Sequence, residues 1–259
     1  MSALRSAVAG AARVADAALE VSVVGGFGST GIRLRRQMFS WSDLPRLDER
    51  HVVITGATSG IGLACARQMA GLGARMSLVG RDVTRTQALA ADLRRSGTEV
   101  AVFIADLNHL ADARRVADEI SADGRAVDVL VHNAGAMSAQ YGCTDEGFEA
   151  TYASQVLSQH ILTSRLLPVV RQGASPRVIV VSSGGMYTER LDPETVQMSA
   201  ENYDGVRAYA RAKRAQVTLT QQWAQRSPDS CVAFHSMHPG WADTRGVQES
   251  LPRFRRLTR

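Results

Sequence analysis

VVITGATSGIG, at Val52–Gly62, is the stretch that decides the fold. An apolar run leads into a turn that contains Gly56, Gly60 and Gly62, and the residues after it have helical periodicity. A second apolar run follows at 74–80, so the unit is predicted to be strand, turn, helix and parallel strand. Glycine allows a tight turn and a close approach to a ligand. This arrangement is typical of a loop that holds phosphate groups at a helix N-terminus.

Short apolar runs continue to alternate with helical patterns beyond this unit. Strands are predicted at 51–55, 74–80, 99–106, 127–133, 177–183 and 230–236, and helices at about 60–72, 84–95, 109–122, 145–171 and 206–226. The alternation indicates a doubly wound α/β fold with a mostly parallel sheet. We expect one such domain over 47–259, with a long loop at 184–205.

Residues 1–46 lie outside this alternation and are predicted to form an N-terminal extension. They contain a second glycine pattern, G-x-G-x-x-G, within VVGGFGSTGIRLRR (Val23–Arg36). The helical stretch behind that pattern is short before 42–45 breaks it, so we predict that it does not hold phosphate. Residues 1–20 have the spacing of an amphipathic helix.

Composition limits the class of protein and its partners. The chain has 259 residues, of which 45% are hydrophobic, as expected for a globular domain. Cys65, Cys143 and Cys231 lack C-x-x-C spacing, so we predict buried free thiols in the cytoplasm rather than disulfides or a zinc knuckle. The net charge of +5 gathers near the two ends of the chain, which argues against nucleic acid as a partner. Peripheral membrane contact through 1–36 stays an alternative.

Lys213 is the only lysine among 30 basic residues. A lysine ammonium is compact and its pKa shifts readily on burial, unlike that of arginine, so the position suggests a site where arginine would not serve, with chance survival on a helix surface as the alternative. Tyr209 precedes it by four residues on a predicted helix, which puts both side chains on one face.

Six motifs together resemble the short-chain dehydrogenases/reductases. They are TGATSGIG, ADL, NAG, VSS, YARAK and HPGWADT, in that order. FSWSDLPRLDER, VIVVSSGGMYT and MHPGWADT are similar to the group of dehydrogenase/reductase SDR family member twelve and its bacterial relatives. The resemblance implies a Rossmann fold and an NAD(P)-dependent oxidoreductase that interconverts a carbonyl and an alcohol.

The resemblance also implies roles for individual residues. Tyr209 is the implied general acid/base, Lys213 stabilises its anion and holds the nicotinamide ribose, and Ser183 binds the substrate oxygen. The family has an asparagine for a proton relay where this chain has Gln155, so the relay is either shifted or impaired. The alternative function is therefore an NADP(H)-binding scaffold or sensor without turnover.

For the cofactor, the resemblance favours NADP(H). Gly-Arg after the second strand implies that Arg81 binds a 2′-phosphate, while Asp82 keeps NAD(H) possible. Asp106 is implied at the adenine and is alternatively a helix cap. The remaining implied contacts are Gly56, Ser59, Gly60, Ile61 and Gly62 at the pyrophosphate, Leu107 at the adenine, Asn133, Ala134 and Gly135 at the adenosine ribose, and Pro239, Gly240 and Thr244 near the nicotinamide.

Family members usually continue past the last motif with a helix and a final strand. Only fifteen residues follow Thr244, so we expect these elements to be missing and the open sheet edge to favour a homo-oligomer. Apolar segments near the site and the resemblance together imply a hydrophobic or lipid-like carbonyl or alcohol substrate.

Overall fold

The computed structural model describes residues 2–21, 26–228 and 231–240. These residues fall into two compact units, one of which is Arg46–His238. The helices are α1 (Ser2–Val21), α2 (Ser29–Met38), α3 (Gly60–Gly71), α4 (Val83–Arg95), α5 (Leu110–Ala122), α6 (Ala150–Tyr152), α7 (Ser158–Val170) and α8 (Gly205–Gln225). The strands are β1 (His51–Thr55), β2 (Arg75–Gly80), β3 (Val100–Ile104), β4 (Val129–His132), β5 (Arg177–Val181) and β6 (Ala233–Met237).

The six strands form one parallel sheet in the order β3-β2-β1-β4-β5-β6. At its centre, Ile54 of β1 pairs with Leu78 of β2 on one side and with Val131 of β4 on the other. Strand order reverses between β1 and β4, and this is where an open α/β sheet binds ligands. The predicted doubly wound fold is confirmed, and each predicted strand overlaps an observed one.

The sheet is apolar on both faces, and helices cover both. On β1, Val53 belongs to a core that includes residues of α5 and α7, whereas Val52 and Ile54 belong to a core with α3 and α4. Burying a side chain of this size contributes roughly 1.5–3 kcal/mol. This two-sided packing fixes the carboxyl ends of the strands, where the polar residues of the candidate site lie.

The helical segment predicted at 145–171 contains a π-helical turn, Ala153–Leu157, between α6 and α7. The Glu149 carboxylate starts α6 by accepting hydrogen bonds from the backbone N–H groups of Thr151 and Tyr152. A π turn inserts one extra residue into the helix and is frequent at functional sites. Gln155 lies within this turn and is buried.

The described residues outside Arg46–His238 include α1 and α2. Arg35 of α2 donates hydrogen bonds to the Asp16 carboxylate of α1 and to the Gly26 carbonyl, both over 2.6 Å. Helix α1 occupies the segment for which the sequence predicts an amphipathic helix. Residues 22–25 lie outside the described part, and the rest of the rejected glycine pattern leads into α2, which ends at Met38. No helix in the described ranges has the length and apolar character needed to cross a bilayer.

The described cysteines are free of disulfides, but the prediction that they are buried was wrong for two of them. Cys65 is half-buried on α3, whereas Cys143 and Cys231 are exposed. Both exposed thiols lie in connecting segments, which usually run over the protein surface.

Gly62 is the tightest position of the glycine-rich turn and gives a test of this packing. A Cβ at Gly62 would overlap with the Asn133 side-chain nitrogen and the Gly56 carbonyl oxygen, whereas a Cβ at Gly71, in the same helix, would meet no atom within 4 Å. We expect Gly62→Ala to lower the free energy of unfolding in urea by about 1–3 kcal/mol. Gly71→Ala should leave it unchanged or raise it by up to ~1 kcal/mol. Equal effects of the two substitutions would contradict the close packing at Gly62.

Candidate active site

Tyr209 and Lys213 lie one turn apart on α8, near the end of β5. The Asp204 carboxylate caps this helix by accepting hydrogen bonds from the backbone N–H groups of Val206 and Arg207, at 2.9 and 3.1 Å. The Ser182 hydroxyl, just after β5, donates a 3.0 Å hydrogen bond to the Lys213 carbonyl. The strand end and the helix are therefore fixed to each other at the level of the two side chains.

The Ser183 side chain lies close enough to the Tyr209 phenol to influence its pKa. Burial raises the pKa of the Tyr209 phenol, and the hydrogen bond with Ser183 lowers it in part. The Ser183 oxygen also accepts a 3.2 Å hydrogen bond from the Gly185 backbone N–H. Of the predicted catalytic residues, the structure thus places these two near each other.

The ammonium of Lys213 is buried behind the tyrosine. Lys213 is 3% exposed, and its Nζ donates a 2.9 Å hydrogen bond to the Val181 carbonyl. Nζ lies 5.3 Å from the centroid of the Tyr209 ring. Burial lowers the pKa of Lys213 to about 7, because the charged form loses its hydration. Both protonation states are therefore accessible near neutral pH.

The glycine-rich turn is braced by Asn133, which follows β4. The Asn133 side-chain nitrogen donates to the carbonyls of Thr55 and Gly56, each at 3.0 Å. The Thr55 hydroxyl oxygen in turn accepts from the backbone N–H groups of Asn133 and Ala134. The predicted residues Gly56, Asn133 and Ala134 are thus brought together. The side-chain nitrogen of Asn133 therefore holds the glycine-rich turn in place.

The turn leads into the N-terminus of α3, as a phosphate site requires. Ser59 precedes the helix in an extended conformation, and its side chain makes no capping hydrogen bond. The N–H groups of the first turn, beginning with Gly60 and Ile61, are those that a helix leaves for an anion. Because side chains are lacking at Gly56 and Gly62, the backbone can approach a pyrophosphate, so the residues present fit a dinucleotide.

Arg81 and Asp82 follow the end of β2. The Arg81 side chain is exposed, whereas the Asp82 carboxylate has a structural role. The Asp82 carboxylate caps α4 by accepting a 2.9 Å hydrogen bond from the Arg85 backbone N–H. The Arg85 guanidinium reaches back to the glycine-rich turn and donates a 3.0 Å hydrogen bond to the Thr58 carbonyl. Sequence reasoning missed Arg85; its spacing of four from Arg81 was the available signal.

Asp106 and Leu107 form the loop after β3. The Asp106 carboxylate accepts hydrogen bonds from the backbone and side-chain N–H groups of Asn108, while His109 is the N-cap residue of α5. The alternative in which Asp106 caps this helix was therefore wrong, since Asp106 is three residues too early. The Leu107 carbonyl accepts a 2.6 Å hydrogen bond from the Ser158 hydroxyl.

Gln155 and Gly135 lie next to Lys213. A Cβ added at Gly135 would lie 2.8 Å from the Gln155 side-chain oxygen and 3.1 Å from Lys213 Nζ, so these two atoms border the same small space. The Gln155 side-chain nitrogen donates a 2.8 Å hydrogen bond to the Ala136 carbonyl.

The remaining predicted contacts are those of the nicotinamide. Pro239 and Gly240 lie outside the Arg46–His238 unit. Thr244 lies outside the described residues.

Sequence reasoning also missed Glu189, in the predicted loop. Its carboxylate accepts hydrogen bonds from Arg207 and Arg211 of α8, at 3.2 and 3.0 Å, on either side of Tyr209. Only the fold brings the loop against the helix, so no local pattern indicated this pairing.

Comparison with known proteins agrees with this geometry. The short chain dehydrogenase family profile matches residues 50–253. The chain is 38% identical to human dehydrogenase/reductase SDR family member 12 over 207 residues, which cover 79% of this chain and 64% of that protein. The chain belongs to the short-chain dehydrogenase/reductase family, as the motifs predicted. It spans less than two thirds of the length of this relative.

Solved structures show the same fold. A protein from Mycobacterium paratuberculosis is 34% identical with a TM-score of 0.69, over 78% of this chain and 72% of that one. A Beutenbergia cavernae structure with NADP bound at low occupancy is 26% identical with a TM-score of 0.66, over 82% of this chain and 80% of that one.

Proposed function

We propose that this protein transfers hydride between NADP(H) and a carbonyl or alcohol substrate. The observation that carries the proposal is the buried ammonium of Lys213, 5.3 Å from the centroid of the Tyr209 ring, with Ser183 near the same phenol. A protein that only binds nucleotide has no use for a hydroxyl pair placed beside a buried lysine. The family membership supports the same class of reaction.

In this proposal, each of the three side chains has one task. NADP(H), when bound, supplies or accepts the hydride. Tyr209 donates its proton to the substrate oxygen in reduction and takes a proton back in oxidation. Ser183 donates a hydrogen bond to the same oxygen as negative charge develops there. Lys213, when protonated, stabilises the Tyr209 anion and holds the nicotinamide ribose.

Gln155 is proposed to take the place of the family's asparagine. Its side-chain oxygen borders the space next to Lys213 Nζ, so an amide is available there despite the longer side chain. This supports a working site rather than a scaffold without turnover.

The cofactor contacts proposed from the sequence are compatible with the described geometry. The glycine-rich turn would hold the pyrophosphate, Asp106 and Leu107 the adenine, and Asn133, Ala134 and Gly135 the adenosine ribose. Pro239, Gly240 and Thr244 stay proposed contacts of the nicotinamide. NADP(H) is favoured over NAD(H) because Asp82 already caps α4, whereas Arg81 is exposed and Arg85 lies beside the turn.

The substrate is proposed to be a hydrophobic, lipid-like carbonyl or alcohol compound. The segment that follows Ser183 presents apolar side chains to solvent: Tyr187 is 77% exposed and Leu191 is 37% exposed. Tyr141, in another connecting segment, is 39% exposed. Exposed apolar side chains beside a polar site favour a ligand with a large apolar part.

The proposed function includes two interactions with larger partners, a membrane surface and a second copy of this chain. Trp41, Phe39 and Ile32 are exposed beside the exposed Arg33 and Arg36, and this combination favours the surface of an anionic bilayer. Sedimentation with phosphatidylserine vesicles tests this, and equal sedimentation of wild type and Trp41→Ser would contradict it. The cytoplasmic location and the homo-oligomer stay predictions, the latter testable by analytical ultracentrifugation.

Tyr209→Phe tests the catalytic assignment. The substitution removes the transferable proton and little else, so we expect kcat for aldehyde and ketone reduction to fall about 10²–10⁴-fold. The Kd for NADPH, measured by fluorescence, should stay within a factor of a few. Tyr152→Phe, which removes a half-buried phenol outside the site, is the control and should retain activity. Retained turnover in Tyr209→Phe would exclude Tyr209 as the acid/base, and absence of turnover in wild type over a broad carbonyl panel would favour the scaffold.

Arg81→Gln tests the cofactor assignment. Loss of a charged hydrogen bond to a 2′-phosphate should weaken NADPH binding about 10–100-fold while NADH binding is unchanged. Arg95→Gln, at the far end of α4, should alter neither affinity. Calorimetric titration of both cofactors measures this. An unchanged ratio of the two dissociation constants in Arg81→Gln would remove Arg81 from the site.

A further inference from the structure

Three buried glutamine side chains line one small cavity behind the candidate active site. Gln155, Gln159 and Gln216 are 1%, 4% and 1% exposed. The side-chain oxygen of each is buried, and no donor within the described part of the chain hydrogen-bonds to it. All three residues line the same cavity of about 10 Å³. Buried polar atoms are almost always paired, so three unpaired acceptors at one place need an explanation.

Two of these side-chain amides are held in place by hydrogen bonds that their nitrogens donate. Gln155 donates its side-chain N–H to the Ala136 carbonyl over 2.8 Å. Gln216, on α8, donates its side-chain N–H to the Gln155 backbone carbonyl, also over 2.8 Å. Gln159 follows Gln155 by four residues, at the start of α7. Because the nitrogens of Gln155 and Gln216 are used, their oxygens are the atoms left for the cavity.

A ligand for this cavity must donate protons and must be very small. Each buried acceptor without a partner costs roughly 1–3 kcal/mol. A volume of roughly 10–15 Å³ is what one water molecule requires. The remaining lining includes the apolar Leu107, Leu162 and Ala134. His132 also lines the cavity, and its ring nitrogen is hydrogen-bonded to the Thr163 hydroxyl over 2.8 Å.

We propose that this cavity is a binding site for one water molecule, which donates to two of the three amide oxygens and, with Gln216, holds the Gln155 amide toward Lys213. Gln159 and Gln216 are then positioning residues for the lysine. The water site connects the π-helical turn, which carries Gln155, with α8, which carries Lys213. The positioning role rests on the proposed function of Lys213, whereas the water site does not.

The charge state of Lys213 follows from this arrangement. An amide oxygen held near Nζ stabilises the ammonium over the neutral amine. Removing an acceptor that holds the water should free the Gln155 amide and lower the pKa of Lys213. The titratable side chain on α8 next to Lys213 is Tyr209, whose ring centroid lies 5.3 Å from Nζ. His132 of β4 lines the cavity, and burial lowers its pKa to about 3, so it stays neutral near pH 7.

The single lysine allows a direct measurement of this effect. In protein labelled with ¹³C at the lysine ε-carbon, the only lysine signal comes from Lys213. We expect its titration in the cofactor-free full chain to move to lower pH by about half a unit or more in Gln159→Met and Gln216→Met, which keep the side-chain length but remove the acceptor. Gln221→Met, at an exposed position of α8, is the matched control and should titrate as wild type.

A high-resolution crystal structure of the wild-type protein tests the water itself. A water peak within hydrogen-bonding distance of at least two of the three amide oxygens is expected. An empty cavity, or amides turned so that their nitrogens face inward, would overturn the proposal even where a Met variant fails to fold. An unshifted Lys213 titration in both folded variants would overturn the positioning role. Lack of turnover would refute the proposed function, but it would change neither the expected water peak nor the expected Lys213 titration.

Discussion

Burial of the Lys213 ammonium is the constraint on which the rest of the site depends. A charged group at 3% exposure is unfavourable unless it is paired, and within the described residues the Lys213 ammonium donates its hydrogen bond to the Val181 carbonyl. This contact needs β5 to end where α8 passes, and the Ser182 hydroxyl fixes that crossing through the Lys213 carbonyl. The depressed pKa of the lysine is thus a consequence of the fold, because burial removes the hydration of its ammonium.

The glycine-rich turn and the catalytic helix are coupled through the loop after β4. Asn133 holds the turn from that loop, and Gly135, two residues later, leaves the space that Gln155 and Lys213 border. One short segment therefore joins the proposed phosphate site to the proposed proton-transfer site. The adjacency of β1 and β4 makes this possible, because it brings segments together that are about 78 residues apart in sequence.

Sequence reasoning predicted what depends on local pattern. Apolar runs gave the six strands, since a parallel sheet buried on both faces needs continuous valine and isoleucine, and the context of the glycine turn separated it from the G-x-G-x-x-G pattern near the N-terminus. The missed features depend on tertiary placement. The pairing of Glu189 with α8 and the convergence of Gln159 with Gln216 have no periodic signal, because each joins segments that are far apart in the sequence. The exposed Cys143 and Cys231 show the same limit, since composition does not tell which segments face solvent.

Direct detection of hydride transfer tests the central claim. The protein would be incubated with NADPH that carries deuterium at the transferable position of the nicotinamide, together with a series of hydrophobic aldehydes and ketones, and the products analysed by mass spectrometry. We expect an alcohol product with one deuterium on the former carbonyl carbon. Saturable NADPH binding with no deuterium transferred to any carbonyl compound in the series would contradict it.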